Sequence, residues 1–348
     1  MQINVITPAE LSDTQIRDWK NLLQLSEELS SPFFSPEFTQ AVARHCGNVY
    51  VALLQEEEEL VGVFPFQRGK WNRGWPVGGR LNDFQAGIFT NGIDINTRQL
   101  LRACDLREWH FDHLITSQPF FQRDFFGFSE SPYIDLKMGF DAFVSKAGST
   151  SRIKTLLRKE RKLAREIGPL RFEFHTTDRS VFESLITLKS QHLRQKKLRN
   201  VLSWDWVLPL LDDIRMCQSP GCSGTLSALY AGNELVATHL GIRDERVIHW
   251  WFTTFDPKFE KYSAGAILLL RLVEHAAQLG LTRLDLGKGE ETYKKSFQTG
   301  YIEIAEGVLT RDHWNRALQH TGYRLRNRLR ATPLRSAVKA AKRIIYSH

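Results

Sequence analysis

Apolar residues recur along the chain in two rhythms, and where one gives way to the other the architecture can be read. Val247–Phe255 is a run of mostly β-branched and aromatic residues stopped by Asp256-Pro257, which predicts a largely buried strand. Ile267, Leu270, Val273 and Ala277 then recur at helical spacing. Gly280 stands where a helix C-cap belongs, and Leu281–Leu286 returns as a short strand. A helix between two strands is a crossover, which makes those strands parallel. Just upstream, Gly224–Tyr230, Leu235–Ile242 and Val247–Phe255 are separated by the polar turns Ala231–Glu234 and Arg243–Arg246. That spacing predicts an antiparallel meander feeding the crossover helix.

The first part of the chain has the same texture. Gln2–Ile6 reads as a strand, Pro8 and Glu10 open a helix, Pro32–Pro36 breaks the chain, and Glu37–His45 is helical again. Val49–Leu54 and Leu60–Gln67 make a hairpin with the acidic run Glu56–Glu59 as its solvated tip. A loop rich in Gly and Trp follows from Gly69 to Gly79. Strands are expected near Gly87–Phe89 and His113–Ile115, with a helix over Thr97–Trp109 between them. Ser149–Gly168 is an amphipathic helix whose apolar stripe is Ile153, Leu156, Leu157, Leu163 and Ile167 and whose polar face carries Arg152, Lys154, Arg158, Lys159, Arg161, Lys162 and Arg165, which suits either a solvated helix joining two units or a face that attracts phosphate groups. Leu170–Thr176 then reads as a strand, with helices over Arg179–Arg199 and Trp204–Met216. The pattern as a whole is mixed α/β, in two similar units.

Length supports two units, because 348 residues exceed what one core comfortably fills. The four cysteines, Cys46, Cys104, Cys217 and Cys222, form no C-x-x-C pair and have no histidines at ligand spacing, so neither a metal site nor a disulfide framework is expected. There is no apolar run long enough for a membrane span and no basic-then-apolar start, which predicts a cytoplasmic protein. The net charge of +8 is concentrated: His313–His348 holds nine Lys and Arg and no acid, leaving residues 1–312 at −1. A near-neutral body with aromatics in core-like positions argues against DNA as a partner. The tail, with Leu325, Leu329, Leu334, Val338, Ala341 and Ile345 on one stripe, suits an anionic membrane surface, as a peripheral contact at the inner membrane, a disordered or body-docked segment, or a site for an anionic signalling nucleotide.

The chemistry gathers around the crossover. The small residues Ser263, Ala264, Gly265 and Ala266 precede the helix, and a bare helix start attracts phosphate. An ordinary N-cap at Ser263 with a packing glycine at Gly265 fits the same residues. After the second strand comes Asp285-Leu-Gly287-Lys288-Gly289-Glu290-Glu291-Thr-Tyr293-Lys294-Lys-Ser-Phe297, two glycines among clustered charges.

This stretch resembles the D-x-G-x-G-x-E-x-Y-K-x-x-F signature of the CelD/BcsL-type acyltransferases, a bacterial branch of the GNAT superfamily of N-acetyltransferases related to the FemAB proteins. Pro32-Phe33-Phe34-Ser35-Pro36-Glu37-Phe38 and Leu81-Asn82-Asp83-Phe84 extend the likeness into the first half. The usual Gln/Arg-x-x-Gly-x-Gly/Ala phosphate motif is altered, since Ala264 stands in Lys261-Tyr-Ser-Ala264-Gly265-Ala266 where the first glycine belongs. The resemblance implies tandem GNAT-like domains: a degenerate one over 1–145, a basic linking helix over 146–170, an acyltransferase domain over 171–312 and a basic tail over 313–348. It also implies an acyl-CoA co-substrate, acetyl-CoA in the first instance, and no metal.

On this basis Ser263–Ala266 and Lys294 are expected to hold the donor. His239, mid-strand, and Glu290 are rival general bases, with Asp285 and the acid Tyr293 beside them. Asp83, Lys288 and Arg158 are expected to contact the acceptor, an amino sugar or lipid-linked glycan of exopolysaccharide or envelope synthesis. Two alternatives stay open: a FemAB-like transferase that uses aminoacyl-tRNA, and a GNAT-fold binding module that has lost its chemistry.

Overall fold

The turn residues and β-branched runs are realised as strands whose order across the sheet departs from their order along the chain. A computed structural model describes residues 1–146, 150–289 and 292–311. The first half runs β1 (Gln2–Ile6), α1 (Asp13–Gln24), α2 (Pro36–His45), β2 (Val49–Glu56), β3 (Glu59–Arg68), β4 (Arg73–Trp75), β5 (Ile88–Phe89), α3 (Thr97–Ala103), β6 (Glu108–Ile115) and β7 (Phe125–Asp135). The second half runs α4 (Gly139–Lys146), α5 (Thr150–Glu166), β8 (Leu170–Glu173), α6 (Arg179–Gln195), α7 (Val207–Met216), β9 (Gln218–Ser219), β10 (Cys222–Ala231), β11 (Glu234–Arg243) and β12 (Val247–Phe255). It ends with α8 (Ala264–Gln278), β13 (Arg283–Asp285), α9 (Thr292–Phe297) and β14 (Gly300–Thr310).

Among the described residues these strands form one mixed sheet in the order β1-β2-β3-β4-β6-β14-β7-β13-β12-β11-β10-β8. The two ends mirror each other. Each begins with an antiparallel meander and passes through a parallel pair, β4 with β6 and β12 with β13. The seam is exchanged: β7 leaves the first half to pair with β13, and β14 crosses back to pair with β6. β7 and β14 then pair with each other from Gly300↔Tyr133 to Gly307↔Phe125.

Packing follows the exchange. Ala305 and Leu309 of β14 pack in one core with Phe64, Trp109 and Phe121 of the first half. A second core crosses between the halves, setting Phe33, Phe38, Leu81 and Phe84 against Leu210, Leu240 and Phe252. The third lies beneath α5 and α8 and contains Ile153, Leu163, Leu268 and Tyr262.

The spans Gln2–Ile6 and Val247–Phe255 are as expected. The hairpin tip is tighter than expected, with Glu57 and Glu58 both in the left-handed region. The helix expected over Thr97–Trp109 ends at Ala103, because Asp105 takes a φ of 51° and Trp109 is already inside β6. The helix expected over Arg179–Arg199 stops at Gln195, where Lys197 turns left-handed, and that expected over Trp204–Met216 starts at Val207. The tail 313–348, Ser149 and Glu290 lie outside the described residues.

A chain divided between 146 and 150 would leave each fragment with an unpaired seam strand and a core missing its partner residues. Fragments 1–146 and 150–348 are expected to be unfolded or aggregated when made separately and to recover native circular dichroism only when produced together. Independent folding of either fragment would contradict the exchange.

Candidate functional site

Parallel pairing between β12 and β13 covers only Val247↔Arg283, Ile248↔Leu284 and His249↔Asp285. β12 continues to Phe255, still paired to β11 on one side, so beyond Trp250 its other edge has no strand partner among the described residues. Unpaired backbone of this kind is a ready source of N–H donors. Three neighbours hold the opening in shape. The Trp250 indole donates to the Tyr293 hydroxyl at 3.1 Å, the Trp251 indole donates to the Leu81 carbonyl at 2.8 Å, and Lys189 Nζ donates to the Thr253 carbonyl at 3.2 Å.

On one side of the opening α8 begins. Ser263 occupies its N-cap in the left-handed region, with φ 61° and ψ 45°, and its side chain makes no capping hydrogen bond. Lys159 Nζ of α5 instead donates to Ser263 Oγ at 2.7 Å. The first-turn amides of a fifteen-residue helix are thus left without a side-chain cap, and an ammonium stands beside them. The altered motif position is harmless to this geometry. Ala264 is already helical and faces the core, while Gly265 and Ala266 are half-buried at the surface. A Cβ on Gly265 would make only ordinary contact, 3.4 Å from the Phe255 ring, which places the helix start beside the free end of β12. These residues fit the pyrophosphate of an acyl-CoA.

The basic helix is therefore more than a linker. It packs along α8, where Glu160 pairs with Arg271, Tyr262 donates to Glu166 Oε2 at 2.6 Å, and Arg152 reaches Ser296 of α9. Arg158 points to solvent.

On the other side stands Asp83, half-buried, with its carboxylate against Gly287. Gly287 has a φ of 70°, and a Cβ there would lie 3.2 Å from Asp83 Oδ2, so glycine meets both a backbone and a space requirement. Lys294 is folded under the same turn, donating to the carbonyls of Gly287 at 3.1 Å and Lys288 at 3.4 Å. Burial pushes the Asp83 carboxyl above its ordinary range and Asp112 adds to this, while His113, Lys294 and Lys189 oppose it. Lys288 is exposed at the rim.

Two expected catalytic residues sit elsewhere. His239 is wholly enclosed, stacked on Trp250 at 4.4 Å, with Nε2 3.3 Å from the His249 carbonyl. Burial lowers its pKa to about 3, so the ring is neutral, and it has no exposed surface. Asp285 is equally enclosed and serves as an anchor. Arg283 Nε lies 3.1 Å from its Oδ1, His249 Nε2 lies 3.4 Å from its Oδ2, and the Arg283 guanidinium donates to the Ser30 carbonyl at 2.6 Å. Ser31 Oγ meets His249 Nε2 at 3.0 Å, and Phe33 and Phe84 set their ring edges against the same imidazole. The Pro32–Phe38 motif thus belongs to a lock between the halves. The parts played by Lys159, Lys189, Ser31 and His249 were not legible in the sequence, since each acts through a partner distant in the chain.

Residues 150–295 match the family model of an acetyltransferase (GNAT) domain. The match runs from the start of α5 into α9 and so lies in the second half. No curated protein matches the sequence. Among solved structures, FemX aligns over 88% of this chain and 96% of its own at a TM-score of 0.58 and 10% identity. The C-terminal domain of a putative lysylphosphatidylglycerol synthetase from Agrobacterium fabrum aligns over 87% and 93% at 0.53 and 13%. L-PGS from Bacillus licheniformis aligns over 90% and 96% at 0.52 and 13%. At such identities the likeness establishes the fold alone. Among the described residues, no helix is long and apolar enough to cross a membrane.

Two predictions follow from this geometry. Burial raises the Asp285 pKa from 3.8 to about 6, with Arg283 opposing. The folded state then binds the extra proton between those values, and the residue's contribution to stability declines as pH rises through that window. The urea-unfolding difference between wild type and Asp285→Asn should move against the wild type from pH 3.8 to about 6; a pH-independent difference would contradict the assignment. Gly265→Asp should preserve or raise thermal stability, because an acid favours a helix N-terminus, while weakening CoA binding by about tenfold or more. Unchanged CoA affinity in calorimetry would remove the phosphate role from this helix start.

Proposed function

We propose that the second half transfers an acyl group, acetyl in the first instance, from acyl-CoA to the amine of an amino sugar in exopolysaccharide or envelope-glycan synthesis. The observation that carries the acyl-transfer part is the uncapped start of α8, with Lys159 beside it, next to the free edge of β12. The sugar acceptor and the CelD/BcsL-type assignment are supported by the likeness of Asp285–Phe297 to that family's signature.

In this reading the pyrophosphate rests on the first turn of α8 and the thioester enters the gap beyond His249. The acceptor amine attacks the thioester carbonyl. Negative charge on the carbonyl oxygen is met by backbone N–H on the free edge of β12. Asp83 takes the proton from the amine, its raised pKa bringing it closer to working pH. The thiolate departs with a proton for which Tyr293, held by Trp250, is the candidate donor. Lys288 and Arg158 remain candidates for acceptor contacts at the rim, as does Glu290 for a second base.

The test is acyl transfer from labelled acetyl-CoA to a panel of amino sugars and nucleotide-linked amino sugars. Asp83→Asn is expected to lower turnover by about 10²- to 10⁴-fold while CoA binding is unchanged. Full activity in that variant would exclude Asp83 as the base.

A second reading, transfer from an aminoacyl-tRNA, draws on the cations at the end of α6. Arg194 is exposed there, as are Lys196, Lys197 and Arg199 just beyond, while Lys189 in the same helix reaches the opening. Binding of labelled tRNA without acetyl-CoA binding would favour it. Binding of neither would favour a GNAT-fold module without chemistry.

A further inference from the structure

The loop rich in Gly and Trp has no part in the site. Between β3 and β4 the chain reads Gly69-Lys70-Trp71-Asn72-Arg73-Gly74-Trp75. Trp71 and Asn72 both take left-handed backbone angles, φ 56° and 54°, where side chains other than glycine are strained. The surroundings hold them there. Gly69 N–H donates to the Arg73 carbonyl at 2.8 Å, and Arg107 N–H donates to the Asn72 carbonyl at 2.7 Å. The Asn72 amide donates to Asp105 at 3.0 Å, and Arg73 pairs with Glu108 at 2.6 Å. The result is a rigid turn that presents Trp71 outward, 77% exposed, beside Trp75, 38% exposed.

The charge around the turn is one-sided. Asp105 is engaged by Arg68 and Arg311, and Glu108 by Arg73 and His110. Lys70 and Arg107 are exposed and have no ion pair among the described residues. A strained, braced turn that holds an indole in water beside uncompensated cations fits an interface with apolar depth and negative charge. Indoles favour the headgroup level of a bilayer, and cations favour anionic lipid.

We propose that this turn docks the protein on an anionic membrane surface, with Trp71 entering the interfacial layer and Lys70 and Arg107 facing lipid phosphates. Docking by this turn does not depend on which reaction the second half performs.

The test uses the full chain with vesicles of phosphatidylcholine alone or mixed with phosphatidylglycerol, both also prepared with brominated acyl chains that quench nearby indoles. The protein should sediment with the phosphatidylglycerol vesicles and release at high salt. Part of its tryptophan emission should be quenched, and that part should vanish in Trp71→Phe. Trp314→Phe separates this contact from one made by the basic tail and should keep the quenching. Trp71→Ala should weaken vesicle binding by about tenfold or more at unchanged melting temperature, and Lys70→Glu with Arg107→Glu should abolish the preference for phosphatidylglycerol. No vesicle binding, or quenching that survives Trp71→Phe and is lost in Trp314→Phe, would overturn the proposal. Trp71 would then be left as a contact for another protein.

Discussion

Backbone groups at the middle of a wide sheet must all find partners, and here neither half of the chain supplies them alone. Pairing of β7 with β13 and of β14 with β6 means that the central ladders are made between residues far apart in sequence, Leu284↔Ile134 and Ile304↔Ile115 among them. An unpaired buried amide costs about as much as a lost hydrogen bond. The seam therefore forms completely or not at all, and the two GNAT-like units behave as one folding body. The opening between β12 and β13 inherits this rigidity, since β13 is held on its far side by β7.

The lock at Ser30–Phe33 does the same work on the face of the sheet. A buried ion pair is weak evidence for stability, because desolvation of both partners offsets their attraction. Arg283 and Asp285 are more informative as a positioning device. Arg283 holds the Ser30 carbonyl, Asp285 meets His249, and His249 meets Ser31 and the edges of Phe33 and Phe84. The loop that carries Asp83 is thereby tied to the strands that flank the opening, with Trp251 adding a hydrogen bond to Leu81. A carboxylate from the first half is held against Gly287 of the second by contacts that are themselves buried.

Local pattern was enough for much of this. The meander, the crossover helix and the small residues before it are legible because period-two and period-3.6 alternation, glycine and proline all act over a few residues. β7 and β14 were not. β7 contains Gly127 and Pro132 and β14 contains Gly300 and Gly307, so neither carries a clean alternation, and their partners are set by an exchange that no local rule encodes. The same distinction explains the site. His239 was read from its unusual place in a strand, and its neighbours turn it inward; Asp83 gained its raised pKa from burial and from Asp112, neither visible in its own stretch. Lys159 was seen as one charge on a basic face, whereas its position beside Ser263 depends on how α5 packs along α8.

The two halves share a plan but differ where a donor would bind, and the difference is physical at each step. The helix equivalent to α8 in the first half is α3, seven residues long, and the Asn96 side chain accepts from the amides of Arg98 and Gln99 at its start. Its first turn is already satisfied, so it offers an anion little, while the start of α8 has no such cap. The gap between the parallel strands differs in the same sense. Where β12 leaves β13 the edge stays open; where β4 leaves β6, Gln85 moves in. It pairs with Leu114, exchanges backbone bonds with His113 and Ile115, and its side chain accepts from the amides of Asp112 and His113. The first half has thus closed with its own groups both the helix start and the strand gap that stay open in the second. That closure positions the neighbouring Asp83, so the first half forms one wall of the opening in the second and sets a carboxylate beside it.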